Sequence, residues 1–441
     1  MESKRTLAVL LSRHMAQFAA LSLVAVLAAC DEETTVEPPA PPPQIQTTQS
    51  YSKSSTGLPN VEVFAMLTLS NGEFWIGTSQ GIARYPSVTA TQRIPGADGV
   101  INELNGLPNP KVRDIVEMDG VVYVATWGGG IAIYDITAGT WESRTPADDT
   151  ADDVHPQNVS LGRFVAPGTG IIVQPGPNGI LETVPQGDDR ISGNNIIDGA
   201  GGNGIAETTA HRGLNGAIAD LEPSPIEGKL YLATNDAISI YDPALDRFSS
   251  FTSLTREVVS AVGVRDTPGG IERWYGPRVE TVEDDPPPPM PAAGITVWRG
   301  VSTFYTYTKV NSGLPEPNVN AIYFDADAGP DILWVATANS GVSRVQVGAS
   351  TWTTYTALQG LPSNTVYSVV RAAAPGGGST IWVATQNGVA RLRGDGTWQG
   401  YNTSGGLAAD RVRRVYSDDG LRLWIGYIDA GAARLNASGA K

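Results

Sequence analysis

Six oxygen-bearing side chains stand in a glycine-rich stretch that repeats itself. The segment "GPNGILETVPQGDD" (176–189) is partly echoed by "GGNGIAETTAHRG" (201–213). Carboxylate and amide oxygens at flexible turns are ligands that Ca²⁺ prefers, although the spacing is not that of an EF-hand. The alternative is a pair of solvated hairpins with Asn-Gly turns. The candidate Ca²⁺ ligands are Asn178, Glu182, Asp188, Asp189, Asn203 and Glu207.

Histidine chemistry is confined to a few positions. The chain has three histidines, His14, His155 and His211, and the last two lie near the acidic repeat. We find no nucleophile elbow, phosphate-binding loop or zinc cluster in the sequence. Enzymatic activity is therefore not predicted. A hydrolase or lyase that uses acids or histidines of this region remains the alternative.

A third set of candidates combines aromatic rings with amides. We expect each residue of the set in a loop after a strand-like phrase that recurs along the chain, and such side chains suit sugar or peptide binding. Trp127 is the strongest candidate, because the glycines of "TWGGG" (126–130) leave it little to pack against locally. The predicted ligand-binding residues are Gln80, Trp127, Asn235, Asn339, Gln386, Asn387 and Tyr427.

The recurring phrase indicates the architecture that must position these residues. It occurs seven times, as FWIGT (74–78), VYVAT (122–126), LYLAT (230–234), RWYGP (273–277), LWVAT (333–337), IWVAT (381–385) and LWIGY (423–427). Further strand-like runs surround each copy, so that a unit contains four short strands. Repeats of this length and content are typical of β-propeller blades, which bury their faces by stacking around a ring. We therefore assign the aromatic residue of each phrase to packing between blades.

The sequence thus predicts an all-β fold, a seven-bladed β-propeller with four-stranded blades over residues 44–441. The last unit lacks an outer strand, and the segment 44–52 precedes the first unit. We predict that this N-terminal strand completes the last blade and closes the ring. The second and third phrases begin 108 residues apart. We interpret 148–214 as an insertion, with a divergent eighth blade as the alternative.

Long connections indicate which end of the propeller functions. We label the strands of a blade a to d from the axis outwards. The segments 96–108 and 148–214 are expected between strand d and the next strand a, and 277–294 between strands b and c. All three would then lie at one end of the propeller, where we expect ligand binding.

The N-terminal region predicts an envelope location. A basic start and an apolar run end at "LAAC" (27–30), which resembles the bacterial lipobox. We expect a signal peptide over 1–29, lipidation of Cys30, and an acidic and proline-rich linker over 30–43. The expected location is the bacterial cell envelope, with the choice of membrane open. A formal net charge of −15 argues against nucleic acid as a partner.

The order "GLP", "LWVAT", "GVSRV" and "TWTTYT" resembles the two-component regulator propeller repeat over most of 53–437. The resemblance implies a propeller of the kind found in periplasmic sensors of bacterial hybrid histidine kinases. Those sensors join two propellers to further domains and a kinase, whereas this sequence holds one propeller. The expectation is a stand-alone lipoprotein that binds a glycan, a peptide or an envelope protein. A scaffold subunit of a surface complex is a further alternative.

Overall fold

The computed structural model describes twelve stretches of the chain. They are residues 45–144, 164–165, 172–173, 217–234, 238–251, 258–267, 269–278, 294–299, 303–348, 351–374, 377–418 and 422–436. The predicted signal peptide, Cys30 and most of the linker lie outside them. So do Asn235, the three histidines and all six candidate Ca²⁺ ligands.

Seven four-stranded antiparallel sheets follow one another along the chain, as the repeats predict. The first strand, β1 (Gln46–Tyr51), precedes the first complete blade. Blades 1 and 2 consist of β2 (Val63–Thr68), β3 (Phe74–Thr78), β4 (Gly81–Tyr85) and β5 (Val100–Ile101), and of β6 (Val112–Met118), β7 (Val121–Thr126), β8 (Gly130–Asp135) and β9 (Thr140–Arg144). A separate hairpin pairs β10 (Phe164–Val165) with β11 (Ile172–Val173). Blade 3 consists of β12 (Ile218–Ser224), β13 (Lys229–Thr234), β14 (Ile238–Asp242) and β15 (Arg247–Phe251).

The remaining blades repeat the same order. Blade 4 consists of β16 (Val258–Thr267), β17 (Gly270–Arg278), β18 (Gly294–Arg299) and β19 (Thr303–Thr308). Blade 5 consists of β20 (Val319–Phe324), β21 (Ile332–Thr337), β22 (Val342–Gln346) and β23 (Thr351–Tyr355). Blades 6 and 7 consist of β24 (Val366–Ala373), β25 (Ser379–Thr385), β26 (Gly388–Leu392) and β27 (Trp398–Tyr401), and of β28 (Val412–Ser417), β29 (Leu423–Tyr427) and β30 (Ala432–Asn436). Short 3-10 turns occupy Ala97–Gly99, Ala357–Gln359 and Thr403–Gly405.

The ring closes through the N-terminal strand, which confirms the prediction. Strand β1 pairs antiparallel with β30, from Gln46 opposite Asn436 to Tyr51 opposite Ala432. Tyr51 is fully buried, and its ring centroid lies 5.8 Å from that of Trp424 and 4.6 Å from that of Tyr85. The strand therefore fills the outer edge of blade 7 and also packs between the last and first blades.

Burial follows the layering of a blade. The b strand β21 is buried at all six positions, whereas the outer strand β23 alternates between exposed and half-buried residues. A middle strand is covered on both faces by neighbouring blades, which explains why its sequence is apolar without alternation. Five b strands carry a fully buried tryptophan: Trp75, Trp274, Trp334, Trp382 and Trp424. Trp75 packs on Tyr134 and Trp141 of the next blade, which confirms packing between blades.

The small residue of each phrase marks a close approach of neighbouring blades. A Cβ atom placed on Gly77 would lie 2.5 Å from Cγ1 of Val112 in the next blade, and one on Gly276 would lie 2.5 Å from Cγ1 of Val319. Strand a of the following blade crosses over this position. The repeated Gly or Ala is therefore a consequence of stacking.

One predicted connection is wrong. The d strand of blade 1 is the two-residue strand Val100–Ile101, which pairs with Ala83 and Ile82 and lies inside the segment 96–108. The long connection of blade 1 is therefore 86–99, between strands c and d, at the opposite end of the propeller. The other two long segments fall between β9 and β12 and between β17 and β18. Both connections begin and end at the end that carries the b–c and d–a turns, here called the b–c end.

Candidate functional site: the central cavity

A β-bulge recurs at the same place in all seven a strands. Each strand has one extra residue immediately after its first ladder pair, or after its second in β16, so that the register shifts there. In β6, for example, Val112 is opposite Thr126 and Asp114 is opposite Ala125, which leaves Arg113 without a partner residue. The seven bulged residues are Phe64, Arg113, Ala219, Ser260, Asn320, Tyr367 and Arg413.

All seven bulged residues line a central cavity of about 630 Å³. A bulge bends the strand and re-aims a side chain that the regular alternation would place elsewhere. The residue just before each bulge is a buried Val or Ile, such as Val112, Val319 and Val412, each 0% exposed. This apolar anchor fixes the bulge at the start of strand a, and strand a begins at the b–c end. The bulged side chains therefore form a ring near that mouth of the cavity.

Two arginines and three aromatic residues of this region form a continuous stack. The guanidinium carbon of Arg113 lies 4.3 Å from the ring centroid of Phe64 and 4.6 Å from that of Trp127. The guanidinium carbon of Arg413 lies 5.5 Å from the centroid of Phe64 and 4.8 Å from that of Tyr367. Guanidinium groups at such distances are attracted by the ring quadrupole. The stack runs from blade 2 through blade 1 to blades 7 and 6.

The stacked arginines lack polar partners. Nε of Arg113 is buried without a hydrogen-bond acceptor, and within the described stretches the side chains of Arg113 and Arg413 make no hydrogen bond or ion pair. Burial and then the charge of Arg413 lower the pKa of Arg113 to about 10. Burial also lowers the pKa of Arg413, and Arg278 contributes at both sites. With a pKa of about 10, Arg113 remains cationic at neutral pH.

Carboxylates of the cavity wall differ from the arginines in having partners. Asp114 accepts from Arg414 at 3.1 Å and from the backbone N–H of Leu221 at 3.2 Å. Asp220 accepts from the backbone N–H of Val262 at 3.0 Å. Each backbone bond ties one blade to the next. We therefore assign these acids to ring stability, whereas the stacked arginines have no such partners.

Burial shifts the acids of blade 3 strongly. It raises the pKa of Glu222 to about 8, with a further contribution from the nearby charge of Asp114. Burial and the same neighbour also raise the pKa of Asp220 well above its usual range. At neutral pH these groups therefore carry less negative charge than the sequence suggests. Glu62 lines the cavity near the stack and attracts both stacked arginines without forming an ion pair.

The predicted ligand-binding residues separate into three groups. Trp127 lies in the cavity lining and takes part in the stack. Gln80, Asn339, Gln386 and Asn387 are exposed in b–c turns at the same end, outside the cavity lining, and Asn339 donates to Glu316. The placement of Tyr427 in a loop is wrong. This residue ends β29 and is 0% exposed, because it packs in the core of blades 6 and 7 and its hydroxyl accepts from the N–H of Ala408.

The other residues of the ring are not predicted by the sequence. The signal of the ring is the repeated pair of apolar anchors around two variable residues, as in "VRDI" (112–115) and "VRRV" (412–415). The variable positions hold residues with no common chemistry, so no motif marks them. In the part of the chain that the structure describes, no cluster of three His, Cys, Asp or Glu residues is arranged to hold a metal ion. The described helices include none that is long and apolar enough to cross a membrane.

Known structures share this fold. The extracellular domain assigned to the hybrid two-component system BT3049 of B. thetaiotaomicron aligns with a TM-score of 0.58 and 14% identity, over 90% of this chain and 42% of that one. Two structures of the extracellular domain of BT4673 from B. thetaiotaomicron, one assigned to a one-component and one to a hybrid two-component system, align with TM-scores of 0.51 and 0.52 at 15% identity. They cover 89% of this chain and 40% and 39% of those chains.

The chain therefore spans about two fifths of the length of these structures. No protein-family model and no curated protein matches the sequence. The likeness agrees with the resemblance to the two-component regulator propeller repeat. The chain has the seven-bladed propeller fold that occurs in the extracellular domains of these two-component systems.

Proposed function

We propose that the chain is a sensing module of the bacterial envelope, which binds a small glycan or peptide in the central cavity at the b–c end. The observation that carries the proposal is the ring of seven bulges. Every blade directs one residue to the cavity mouth, and the seven residues differ in size and charge. Closure of the ring requires no such variety, whereas recognition of an asymmetric ligand does.

The chemistry of the lining supports a small polar ligand. Phe64, Trp127 and Tyr367 supply aromatic surface, and Asn320 and Ser260 supply hydrogen-bonding groups. A volume of about 630 Å³ lies within the range of small-molecule sites. The long segments of blades 2 and 4 join strands at the same end.

The proposed location depends on Cys30. We propose that this residue carries a lipid and that residues 30–43 hold the propeller away from the membrane surface. Mass spectrometry of the mature protein tests this part, because lipidation shifts the mass of the peptide that begins at residue 30. An unmodified Cys30 within an uncleaved chain would contradict it.

The function is tested by thermal unfolding of the purified chain with a panel of glycans and short peptides. A ligand that binds the folded state raises the unfolding temperature as its concentration exceeds Kd. We expect at least one panel member to stabilise the chain, and Trp127→Ala and Tyr367→Ala to remove the effect. Gln386→Ala is the matched control, because Gln386 is exposed at the same end outside the cavity lining. Stabilisation that survives both cavity substitutions, or no stabilisation at all, overturns the proposal.

The catalytic alternative depends on acids and histidines between 148 and 214. None of these candidate residues lies in the described stretches. We therefore base no second function on them.

A further inference from the structure

The stack of Arg113, Phe64 and Arg413 lowers the stability of the folded chain, because it buries two cations without ion pairs. Two guanidinium groups share one phenyl ring, with centroid distances of 4.3 and 5.5 Å. Burial disfavours the charged form of each guanidinium group, and the charges of Arg413 and Arg278 further disfavour the charge on Arg113. Buried like charges that form no ion pair destabilise a fold unless another interaction stabilises them.

Four other arginines of the described structure, each with a side chain less than about a fifth exposed, are paired with acids. Arg84 donates to Glu73 at 3.0 Å while it lies over Trp75, and Arg371 donates to Asp325 at 2.6 Å. Arg265 and Arg273 also lie over rings and also bind carboxylates. The fold therefore repeatedly combines a stacked arginine with an acid. At Arg113 and Arg413 the aromatic part of this arrangement is present, and no acid of the described residues forms an ion pair with either group.

Because these arginines lie at the cavity mouth, the acidic group of a ligand can pair with them. Both arginines are bulged residues at the cavity mouth, where a ligand enters before it reaches the deeper wall. Arg278 and Arg411, which are exposed, line the same cavity, and they too make no hydrogen bond or ion pair through their side chains among the described residues. The planar guanidinium fork matches the oxygen atoms of carboxylate and sulfate groups.

We propose that the ligand of the cavity is a small anion, up to about the size of a disaccharide or dipeptide, whose carboxylate or sulfate group is bound by the guanidinium groups of Arg113 and Arg413. The inference rests on the proposed function, because it specifies the chemistry of the ligand in that cavity. Phe64 contacts both guanidinium groups, and Trp127 and Tyr367 each contact one of them. The aromatic residues thus position the two cations before the ligand arrives.

The test uses matched pairs of anionic and neutral compounds. Isothermal titration at about 150 mM ionic strength compares glucuronate with glucose, galactose 6-sulfate with galactose, and Asp-Asp with Asn-Asn. Constant ionic strength is needed because screening weakens exposed charges. We expect one anionic member to bind at least about tenfold more tightly than its neutral partner, which corresponds to about 1.4 kcal/mol. The sugar pairs and the peptide pair distinguish the sources of the anion.

Two substitutions identify the groups responsible. Arg113→Met and Arg413→Met keep an unbranched side chain between the rings and remove the charge. We expect each variant to reduce the preference for the anion to less than about twofold. Arg393→Met is the control for the change in net charge, because Arg393 is half exposed and pairs with Asp395 outside this cavity. The ligand-free unfolding temperature of Arg413→Met should also rise in low salt, because an unpaired cation has been removed.

The outcomes separate the two proposals. A neutral compound that binds as tightly as its anionic partner, and loses affinity in Trp127→Ala but not in the arginine variants, overturns the anion and leaves the proposed function standing. An anion preference that persists in both arginine variants also overturns it. If no member of any pair binds, both proposals fail.

Discussion

At the scale of single residues, tryptophans with similar sequence contexts differ in what they do. Trp382 is the second residue of a recurring phrase, is 0% exposed, and donates from its indole N–H to the carbonyl of Ala373 at 3.0 Å. Trp127 lies one residue beyond such a phrase and instead faces Arg113 in the cavity. The aromatic residue within a phrase therefore packs between blades, whereas the residue that follows the phrase of blade 2 belongs to the site.

The first prediction compares these two tryptophans. Trp382→Ala should lower the free energy of unfolding by about 3–5 kcal/mol, because it leaves a large void between blades. Trp127→Ala should lower it by about 1 kcal/mol or less, since it removes only the stacking on Arg113. Urea denaturation followed by circular dichroism measures both values. Equal losses would contradict the separation of core and site.

The second prediction concerns Glu222, whose pKa in the folded protein is raised to about 8 by burial. The unfolded chain loses this proton near pH 4.5, so the folded state binds more protons between pH 4.5 and 8. The contribution of Glu222 to stability therefore decreases as the pH rises through that window. Each unit of pKa difference corresponds to about 1.4 kcal/mol.

Glu222→Gln should therefore raise the unfolding temperature at pH 8 and change it little at pH 5. Part of the pH dependence should remain, because the pKa of Asp220 is raised in the same direction. Asp395→Asn is the control, since the pKa of this exposed carboxyl is lowered by its hydrogen bonds to Thr397 and the group stays ionised throughout the window. Parallel curves for Glu222→Gln and the unsubstituted protein would show that the site does not titrate as inferred.

At the scale of elements, the predictable features are those repeated by packing. The b strands are buried on both faces, so their apolar phrases with an aromatic and a small residue recur in all seven blades. Strand β5 was missed because two residues, Val100 and Ile101, are too short to carry a pattern. Tyr427 was misplaced because the residue that ends a phrase, such as Thr385, elsewhere begins the b–c turn through a hydrogen bond to Gly388.

The ring of bulges could not be predicted for a different physical reason. A bulge moves one residue out of the alternation on which strand assignment depends. Arg113, Tyr367 and Arg413 then read as exposed positions of ordinary strands, and nothing in the sequence shows that they meet. They meet at the cavity mouth only because the seven a strands are arranged around one axis.

At the scale of the whole molecule, the central cavity carries arginines although the chain as a whole is acidic. The formal net charge is −15, yet four arginines without side-chain polar partners among the described residues line the central cavity. An acidic exterior repels anions at long range, so a basic cavity in such a molecule selects ligands by contact rather than by electrostatic steering. Binding of an anion should accordingly depend more on the arginine pair than on bulk salt.

Ring closure gives the last prediction. Removal of residues 46–51 from the chain takes away strand β1, which leaves β30 as an exposed edge and vacates the place of Tyr51 between Trp424 and Tyr85. The loss of one large buried aromatic residue alone corresponds to about 3–5 kcal/mol. An unpaired edge strand also promotes association of chains. We expect a markedly lower unfolding temperature and the appearance of dimers or larger species.

The matched control keeps the strand and changes only its outward side chains. Gln46, Thr48 and Ser50 are exposed, so the triple substitution to alanine preserves the pairing with β30 and the burial of Tyr51. This variant should remain monomeric and unfold close to the temperature of the unsubstituted protein, as measured by circular dichroism and light scattering. A deletion variant that behaves like the triple variant would mean that seven blades hold together without the N-terminal strand. A low unfolding temperature in the deletion alone would assign closure to backbone pairing and to Tyr51, the two features that join the ends of the ring.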